Sequence, residues 1–236
     1  LSKLVSRARI NKGTALVYTF KPHPRTVGSN NFDVELLCTY EERLGLLKTL
    51  NVGVVIEEPF NRKFSTLSAE KFFKDIIIKR LNTFAIYVGH DFGFGKGREG
   101  TIQVLKQLCQ TNGVEFHVVK AQKVGNTVCS STKIRALLKN GNIQAANQLL
   151  GYAFFYRGLV QDGDRRGRKI GFPTANIRVP EDKIAVKRGV YSTRTLISGK
   201  SYLSISNFGH RPTFVSASTG KNQPVIFETH IIDFSG

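Results

Sequence analysis

The sequence predicts an α/β domain followed by a small all-β domain, most simply a β-barrel. Up to about residue 150, short apolar segments of strand composition alternate with segments of helical spacing. From Phe154 onward the pattern changes to glycine-rich, charged turns between segments that alternate apolar and polar residues. With 236 residues, of which 41% are hydrophobic, the chain can build the cores of two modest domains.

Strand and helix patterns alternate through the first part of the chain. Predicted strands cover residues 14–20, 52–56, 84–88 and 114–119, and predicted helices cover residues 40–50, 68–81, 101–109, 133–139 and 143–150. The last two helices are each closed by a glycine, Gly141 and Gly151. Such alternation implies a parallel sheet with helices on both faces.

The second part has the pattern of a β domain. Residues 190–197, 202–206 and 225–232 alternate apolar and polar side chains, and turn residues separate these segments. We place the boundary after Tyr152, so the predicted domains are residues 1–152 and 153–236.

The formal net charge of +18 raises the question of a nucleic-acid partner. Lys and Arg exceed Asp and Glu by 11 in residues 1–152 and by 7 in residues 153–236, so no basic tail or arm carries the excess. An evenly spread positive field favours small anionic substrates such as nucleotides over a polynucleotide.

Composition also excludes several classes of protein. No apolar run approaches the roughly 18 residues that a membrane helix needs, so we expect no membrane partner. Cys38, Cys109 and Cys129 form neither a CxxC motif nor a Cys/His cluster, so the sequence suggests neither a disulfide framework nor a zinc site and fits a reducing compartment such as the cytoplasm. The chain begins with Leu1 and contains no Met, which suggests either a fragment or methionines that are modified and uncounted, and it carries no signal for an oligomeric state.

Residues 129–135, with the sequence CSSTKIR, form the first candidate site. We expect Ser131 or Thr132 to cap the following helix, so that free backbone N–H groups and hydroxyls converge, with Arg135 one turn along. Such a point can bind phosphate. The alternative is an ordinary helix cap with a solvated arginine.

A glycine-dense loop, residues 88–100, follows a predicted strand and forms the second candidate. It holds Asp91, the aromatic Phe94, Lys96 and Arg98, which suit a flat ring and phosphates, and loops at the carboxyl ends of parallel strands bind ligands in open α/β sheets. The loop lacks the strict GxGxxG dinucleotide spacing, so a plain flexible loop is the alternative.

A second glycine-rich loop, residues 163–176, forms the third candidate. Gly163, Gly167 and Gly171 allow the backbone to approach phosphates, and Lys169 and three arginines add positive charge. Thr174 and Asn176 offer oxygen ligands of the kind that Mg²⁺ accepts. The alternative is a solvated basic turn before a strand.

Glu228 is the carboxylate that could complete this site. Strand alternation places it on one face with Ile226, His230 and Ile232, in an otherwise largely apolar row. A useful task for such an acid is to accept a proton from an attacking hydroxyl. The alternative is an exposed glutamate on an edge strand.

Five motifs together resemble the bacterial bifunctional riboflavin kinase/FMN adenylyltransferase family, also called bifunctional FAD synthetases. The patterns TFxPHP, GxDFxFGxxxxG and ISSTxIR match residues 19–24, 89–100 and 129–135, with Cys129 in place of Ile. The patterns GxxxGFPTAN and ExHxxDF match residues 167–176 and 228–234. The resemblance covers essentially the whole chain.

The resemblance implies a Rossmann-like nucleotidyltransferase domain and a six-stranded antiparallel barrel. It implies that Asp91 and Phe94 bind flavin, the ring stacking on the isoalloxazine, and that Ser131, Thr132 and Arg135 hold ATP phosphates. It also implies that Thr174 and Asn176 serve the Mg²⁺–nucleotide and the flavin hydroxyl, and that Glu228 is the base. The implied reactions convert riboflavin and ATP to FMN, and FMN and a second ATP to FAD and pyrophosphate.

The chain departs from the family pattern in a few places. The family's GxFDGxHxGH motif would lie before Leu1, and a further strand and helix would follow Gly236, so the resemblance implies truncation at both ends. Gly28 stands where an apolar residue is common, and Val186 where a proline is usual. Two alternatives stay open: an RNA-binding protein on a related fold, and an inactive flavin-sensing homologue.

Overall fold

The computed structural model describes residues 1–27, 35–161, 167, 171–210 and 225–234. The chain divides into two compact units, the first formed by Leu1–Val34 and Arg43–Val128 and the second by Glu35–Glu42 and Cys129–Gly236. In the described residues, the first unit combines helices with parallel strand pairs and the second contains an antiparallel sheet. The prediction of an α/β domain followed by a β domain is therefore confirmed in outline.

Most of the elements between Leu1 and Val128 coincide with the predicted patterns. The helices and strands are α1 Ser2–Ile10, β1 Leu16–Lys21, α2 Tyr40–Thr49, β2 Val54–Pro59, α3 Arg62–Ser65, α4 Ala69–Lys71, β3 Ala85–Gly89, α5 Ile102–Thr111, β4 Glu115–Val119, β5 Lys123–Val124 and β6 Thr127–Val128. β1 pairs in parallel with β2, and β3 pairs in parallel with β4. Short 3₁₀ turns cover Pro24–Thr26 and Lys96–Arg98.

The predicted helix over residues 68–81 forms, but its hydrogen bonding differs from that of an α-helix. Ser68 caps α4, and a π-helical run, Phe72–Arg80, continues it. Phe73 in this run is fully buried, and it packs in one core with residues of β3 and α5. This core contains Ala69, Phe73, Val88, Phe94, Leu105, Cys109 and Val114.

The second unit is built around an antiparallel sheet. Its helices and strands are α6 Ser131–Lys139, α7 Ile143–Leu150, β7 Val160–Gln161, β8 Thr174–Arg178, β9 Gly189–Ile197, β10 Lys200–His210 and β11 Val225–Ile231. Within the described residues the strand order is β7-β8-β11-β10-β9. Gly141 and Gly151 follow α6 and α7 with positive φ, as predicted.

One face of this sheet packs on the core of the second unit. Phe208 of β10 is 1% exposed, and its ring stacks on Tyr156 with 5.6 Å between the centroids. The Tyr156 hydroxyl donates to the Ile184 carbonyl at 2.8 Å, and burial raises the pKa of Tyr156. Leu138 of α6 and Ala146 of α7 are fully buried in the same core. On β10 the residues that alternate with Phe208, such as Ile205 and Asn207, lie on the opposite face and are exposed.

Candidate active site

Strands β8 and β11 bring together the polar residues that were predicted from separate motifs. In the antiparallel register Asn176 lies opposite Glu228, and Thr174 lies opposite His230. Side chains of directly paired residues share a face, so these four point away from the face that carries Phe208. The placement of Glu228 in a strand is thus confirmed, but its strand lies between β8 and β10 and is not an edge strand.

Thr174 and Glu228 are in direct contact. The Thr174 hydroxyl donates to Oε1 of Glu228 at 2.8 Å. A hydroxyl has one proton and two lone pairs, so Thr174 can donate to the carboxylate while its oxygen still accepts a partner. A carboxylate held in this way keeps a second oxygen, Oε2, for a substrate proton.

The glycine-rich loop before β8 is only partly described, since Gly163 and Lys169 lie outside the described residues. Gly167 approaches the backbone of Phe172 so closely that a Cβ atom there would be 2.2 Å from the Phe172 carbonyl oxygen. The Phe172 N–H donates to the Gly167 carbonyl at 2.8 Å. Gly171 has φ of +83°, a conformation that favours glycine. Both glycines are thus required by the local backbone.

The cap of α6 lies one or two residues before the predicted position. Ser130, rather than Ser131 or Thr132, caps the helix, and its hydroxyl accepts from the Lys133 N–H at 3.2 Å. Any of three consecutive hydroxyl residues could cap a helix, and the extended backbone of Ser130 decides between them. Ser131 and Thr132 lie exposed in the first turn, close to the free N–H groups.

The Arg135 side chain makes a hydrogen bond within the second unit. Its Nε donates to the Glu35 carbonyl at 2.7 Å. A guanidinium carries five donor hydrogens, so this bond fixes the side chain and leaves other N–H groups for an anion. The role of Ser131, Thr132 and Arg135 in phosphate binding remains a prediction.

The loop from Gly89 to Gly100 is fixed to the start of α4. Glu99 Oε1 accepts from the Ala69 N–H at 2.7 Å, and the Lys96 N–H donates to the Leu67 carbonyl at 2.7 Å. Gly95 has φ of +72°, and a Cβ there would be 2.6 Å from the Ala69 nitrogen. The alternative of a plain flexible loop is therefore not supported.

The aromatic residues of this loop differ in exposure. Phe94 is only 8% exposed, packs in the core of the first unit and lies 5.6 Å from Phe92 in a stacked arrangement. Phe92 is 37% exposed, and Asp91 is exposed beside it. Of the two phenylalanine rings in this loop, Phe92 is thus the exposed one, whereas the sequence pattern pointed to Phe94.

Asn207 of β10 was also missed. It lies directly opposite Glu228, on the other side from Asn176, so Glu228 stands between two amides in one row across three strands. Asn207 is exposed, whereas Ser206 and Phe208 on either side are buried. The signal in the sequence was a polar amide in a strand pattern, but its position opposite Glu228 follows only from the register.

The donor set around Glu228 fits a hard cation. The hydroxyl of Thr174 and the amide of Asn176 supply oxygen atoms, the ligand type that Mg²⁺ prefers. No cluster of three or more His, Cys, Asp or Glu residues that could hold a metal occurs in the part of the chain that the structure describes. Mg²⁺ here would thus rely on substrate phosphates and water for its remaining ligands.

In the same described part, no helix is long and apolar enough to cross a membrane.

Two family models match this chain in tandem. The FAD synthetase model matches residues 1–133, and the riboflavin kinase model matches residues 150–236.

Curated relatives match both parts together. The bifunctional riboflavin kinase/FMN adenylyltransferase of Listeria monocytogenes is 35% identical over 92% of this chain and 68% of its own length. The proteins of the same name from Bacillus subtilis and Escherichia coli strain K12 are 34% and 33% identical, over 94% and 99% of this chain and 69% and 72% of their own lengths.

A solved structure has the same fold. A Streptococcus pneumoniae protein, described as a macrolide-efflux protein, gives a TM-score of 0.84 at 28% identity, over 100% of this chain and 76% of its own.

Proposed function

The chain belongs to the bifunctional riboflavin kinase/FMN adenylyltransferase family, and we propose how its residues divide the two reactions. It is a transferase that converts riboflavin and ATP to FMN and ADP, and FMN and a second ATP to FAD and pyrophosphate. We assign adenylyl transfer to residues 1–152 and riboflavin phosphorylation to residues 153–236. Membership of this family does not favour the RNA-binding and flavin-sensing alternatives.

Glu228 is the proposed base of the kinase reaction. The observation that carries this assignment is the hydrogen bond from Thr174 to Oε1 of Glu228. With Oε1 occupied, Oε2 accepts the proton of the riboflavin 5′-hydroxyl as the hydroxyl oxygen bonds to the γ-phosphorus of ATP. The bond from the γ-phosphorus to the bridging oxygen breaks, and ADP leaves with that electron pair.

Thr174 and Asn176 are the proposed ligands that this chain contributes to Mg²⁺. When bound, Mg²⁺ would neutralise charge on the phosphate oxygens. Asn176 lies in register with Glu228, so the same amide can also orient the flavin hydroxyl toward the base. Gly163, Gly167, Lys169 and Gly171 form the proposed phosphate-binding loop, in which the glycines permit close backbone approach and Lys169 supplies charge.

Adenylyl transfer is assigned to a different set of residues. Ser131 and Thr132, in the exposed first turn of α6, and Arg135 are proposed to hold ATP phosphates. Asp91 and Phe94 are proposed to serve the flavin, with the exposed ring of Phe92 lying over the buried ring of Phe94. In this reaction the FMN phosphate attacks the α-phosphorus of ATP, and pyrophosphate leaves.

The finer architecture is part of the same proposal. We propose that the first domain is Rossmann-like, as the parallel pairs β1–β2 and β3–β4 suggest. The antiparallel order β7-β8-β11-β10-β9 supports a sheet that closes into a six-stranded barrel. The cytoplasm, which holds ATP and suits the free thiols of Cys38, Cys109 and Cys129, is the proposed location.

Replacing the proposed base tests the kinase assignment. Glu228→Gln keeps the shape of the side chain but removes its proton acceptor, so FMN formation should fall by about 10²–10⁴-fold. Riboflavin affinity, measured by flavin fluorescence, should change by less than about threefold, because a base contributes mainly in the transition state.

Glu181→Gln is the matched control, since the Glu181 side chain is 88% exposed and contacts only Arg178 among the described ion pairs. It should leave FMN formation unchanged. Near-normal FMN formation by Glu228→Gln would refute the assignment of the base.

A further inference from the structure

His230 lies two residues from Glu228 and has no role in the reaction described above. Alternation along β11 puts both side chains on the same face, and the register sets His230 opposite Thr174. His230 is partly exposed, so burial does not explain why a histidine stands here.

The imidazole of His230 holds the segment that precedes β8. Its Nδ1 lies 2.9 Å from the carbonyl oxygen of Pro173. A carbonyl oxygen can only accept a hydrogen bond, so Nδ1 must carry the proton. The Phe172 ring and the imidazole also pack in a T-shaped arrangement, with 5.3 Å between the centroids and 75° between the planes. One side chain therefore contacts two consecutive residues of this segment.

Pro173 makes this contact important for the local structure. Proline has no N–H, so the backbone at this point has one donor fewer with which to join a neighbouring strand. The pairing of β8 with β11 begins at Thr174, one residue later. The bond from His230 thus extends the attachment of the segment by one residue beyond the backbone ladder.

The carbonyl that His230 fixes belongs to the peptide unit that leads into Thr174. The Thr174 hydroxyl is the group that donates to Oε1 of Glu228 at 2.8 Å. A rotation of the Pro173–Thr174 peptide would break the bond with His230 and also move the Thr174 hydroxyl. The two hydrogen bonds, one from each strand, thus close a ring between β8 and β11 around the proposed base.

We propose that His230 is a positioning residue for riboflavin phosphorylation, which fixes Thr174 against Glu228 through its Nδ1–H bond to Pro173. The inference rests on the proposed kinase function. His230 itself contacts neither the reacting atoms nor the metal in this scheme. The effect of replacing His230 on FMN formation should therefore depend on the position of one N–H donor, and not on charge or proton transfer.

Three substitutions in the full chain separate this role from a general effect on folding. In His230→Asn the amide N–H can occupy roughly the position of Nδ1, whereas in His230→Gln it lies nearer the position of Nε2. His230→Ala has no donor. We expect kcat for FMN formation to fall by about 10–100-fold in the Gln and Ala variants and by less than about threefold in the Asn variant, since small misplacements of reacting groups have effects of this size. KM for riboflavin should change by less than about threefold in all of them.

His117→Ala is the matched control, because His117 is also a partly exposed strand histidine but belongs to the first unit. It should leave FMN formation unchanged. Thermal unfolding of every variant identifies any that fail to fold. Equal kcat in the Asn and Ala variants, or a kcat within about twofold of the original protein in folded Gln and Ala variants, would overturn the proposal.

A measurement that does not depend on turnover distinguishes this inference from the proposed function. A long-range ¹H–¹⁵N correlation spectrum shows which ring nitrogen carries the proton, and His230→Asn identifies the signals of His230. A proton on Nδ1 supports the proposal, and a neutral ring protonated only on Nε2 overturns it. Absence of FMN formation by the unaltered protein would instead count against the kinase function.

Discussion

Gly167 has little steric freedom in the proposed phosphate-binding loop. Its Cα lies so close to the Phe172 carbonyl that a methyl group would force the backbone to move. Phe172 and Pro173 are the residues that His230 contacts, and Thr174 follows directly. A shift at Gly167 therefore reaches the hydroxyl that bonds Glu228.

We expect Gly167→Ala to destabilise the protein by about 1–3 kcal/mol, the usual cost of overpacking, and to lower kcat for FMN formation. Thermal unfolding and FMN chromatography measure the two effects. Gly45→Ala is the control, because Gly45 is exposed inside α2 and a Cβ there would meet no neighbouring atom within 4 Å. It should stabilise the protein by about 0.5–1 kcal/mol through helix propensity. Equal behaviour of the two variants would contradict the close approach at Gly167.

Cys109 should be the least reactive of the three thiols. It is fully buried in the core of the first unit, and burial raises its pKa to about 11, so at pH 8 only about one thiol in a thousand is ionised. Cys38 and Cys129 are partly exposed. Iodoacetamide at pH 8 should add two labels to the native chain and a third only after denaturation, as intact mass spectrometry would show. A third label on the native protein would mean that Cys109 is accessible.

The segment of residues 35–42 is attached to the second unit by a buried ion pair. The Lys183 ammonium contacts both carboxylate oxygens of Glu42 and the Phe155 carbonyl, and both charged side chains are 1% exposed. Burial lowers the pKa of Lys183, and the contacts with Glu42 oppose that shift. Glu42 also accepts from the Thr39 N–H at 2.8 Å, so the same carboxylate caps the start of α2.

Removing one charge of this pair should be more harmful than removing both. Lys183→Met leaves the Glu42 carboxylate buried without its partner, which should cost about 3–5 kcal/mol of unfolding free energy. Adding Glu42→Gln should restore part of that loss, because the amide keeps an acceptor for Thr39 without a buried charge. Urea unfolding followed by circular dichroism measures both variants. A double variant less stable than Lys183→Met alone would show that the charge is not the main cost.

The elements show which features of the fold were accessible from the sequence. Period-two alternation located β11 within one residue, because successive side chains of a strand point to opposite faces and so alternate between apolar and polar. The π-helical run of Phe72–Arg80 was not predicted, since apolar spacing does not distinguish hydrogen bonds to the fourth and fifth residue. The cap of α6 was predicted one or two residues too late, because adjacent hydroxyl side chains have the same capping chemistry.

The sequence predicted which residues belong to the site more completely than it predicted how they are arranged. Glu228, Thr174 and Asn176 could be named because each residue type suits its proposed chemistry. The position of Asn207 beside Glu228, and the contact from His230 to Pro173, depend on strand register. Register is set by long-range pairing and turn geometry, and no local pattern in one segment fixes it.

At the scale of the whole molecule, the boundary between the two packing units differs from the boundary that we propose between the residues of the two reactions. Residues 129–152 belong to the second packing unit, where Leu138 and Ala146 share a core with Ile184 and Phe208. The sequence groups α6 and α7 with the first domain because the helical pattern continues through them. Core membership is a tertiary property, so the boundary at Tyr152 remains a prediction about which residues carry which reaction.

If the two reactions use separate residues, each should be removable without the other. Thr132→Ala deletes one exposed hydroxyl in the first turn of α6, and the loss of one bond to a charged phosphate should slow adenylylation of supplied FMN by about 10–100-fold. FMN formation should stay unchanged, whereas Glu228→Gln should give the reverse pattern. In the double variant the two losses should combine without interaction, because independent sites are additive in free energy. Chromatography of FMN and FAD, after incubation with ATP and either riboflavin or FMN, measures both reactions in the original protein, the two single variants and the double variant. A Thr132→Ala chain that loses both activities equally would show that this hydroxyl supports the fold, because a phosphate contact in one reaction cannot slow the other.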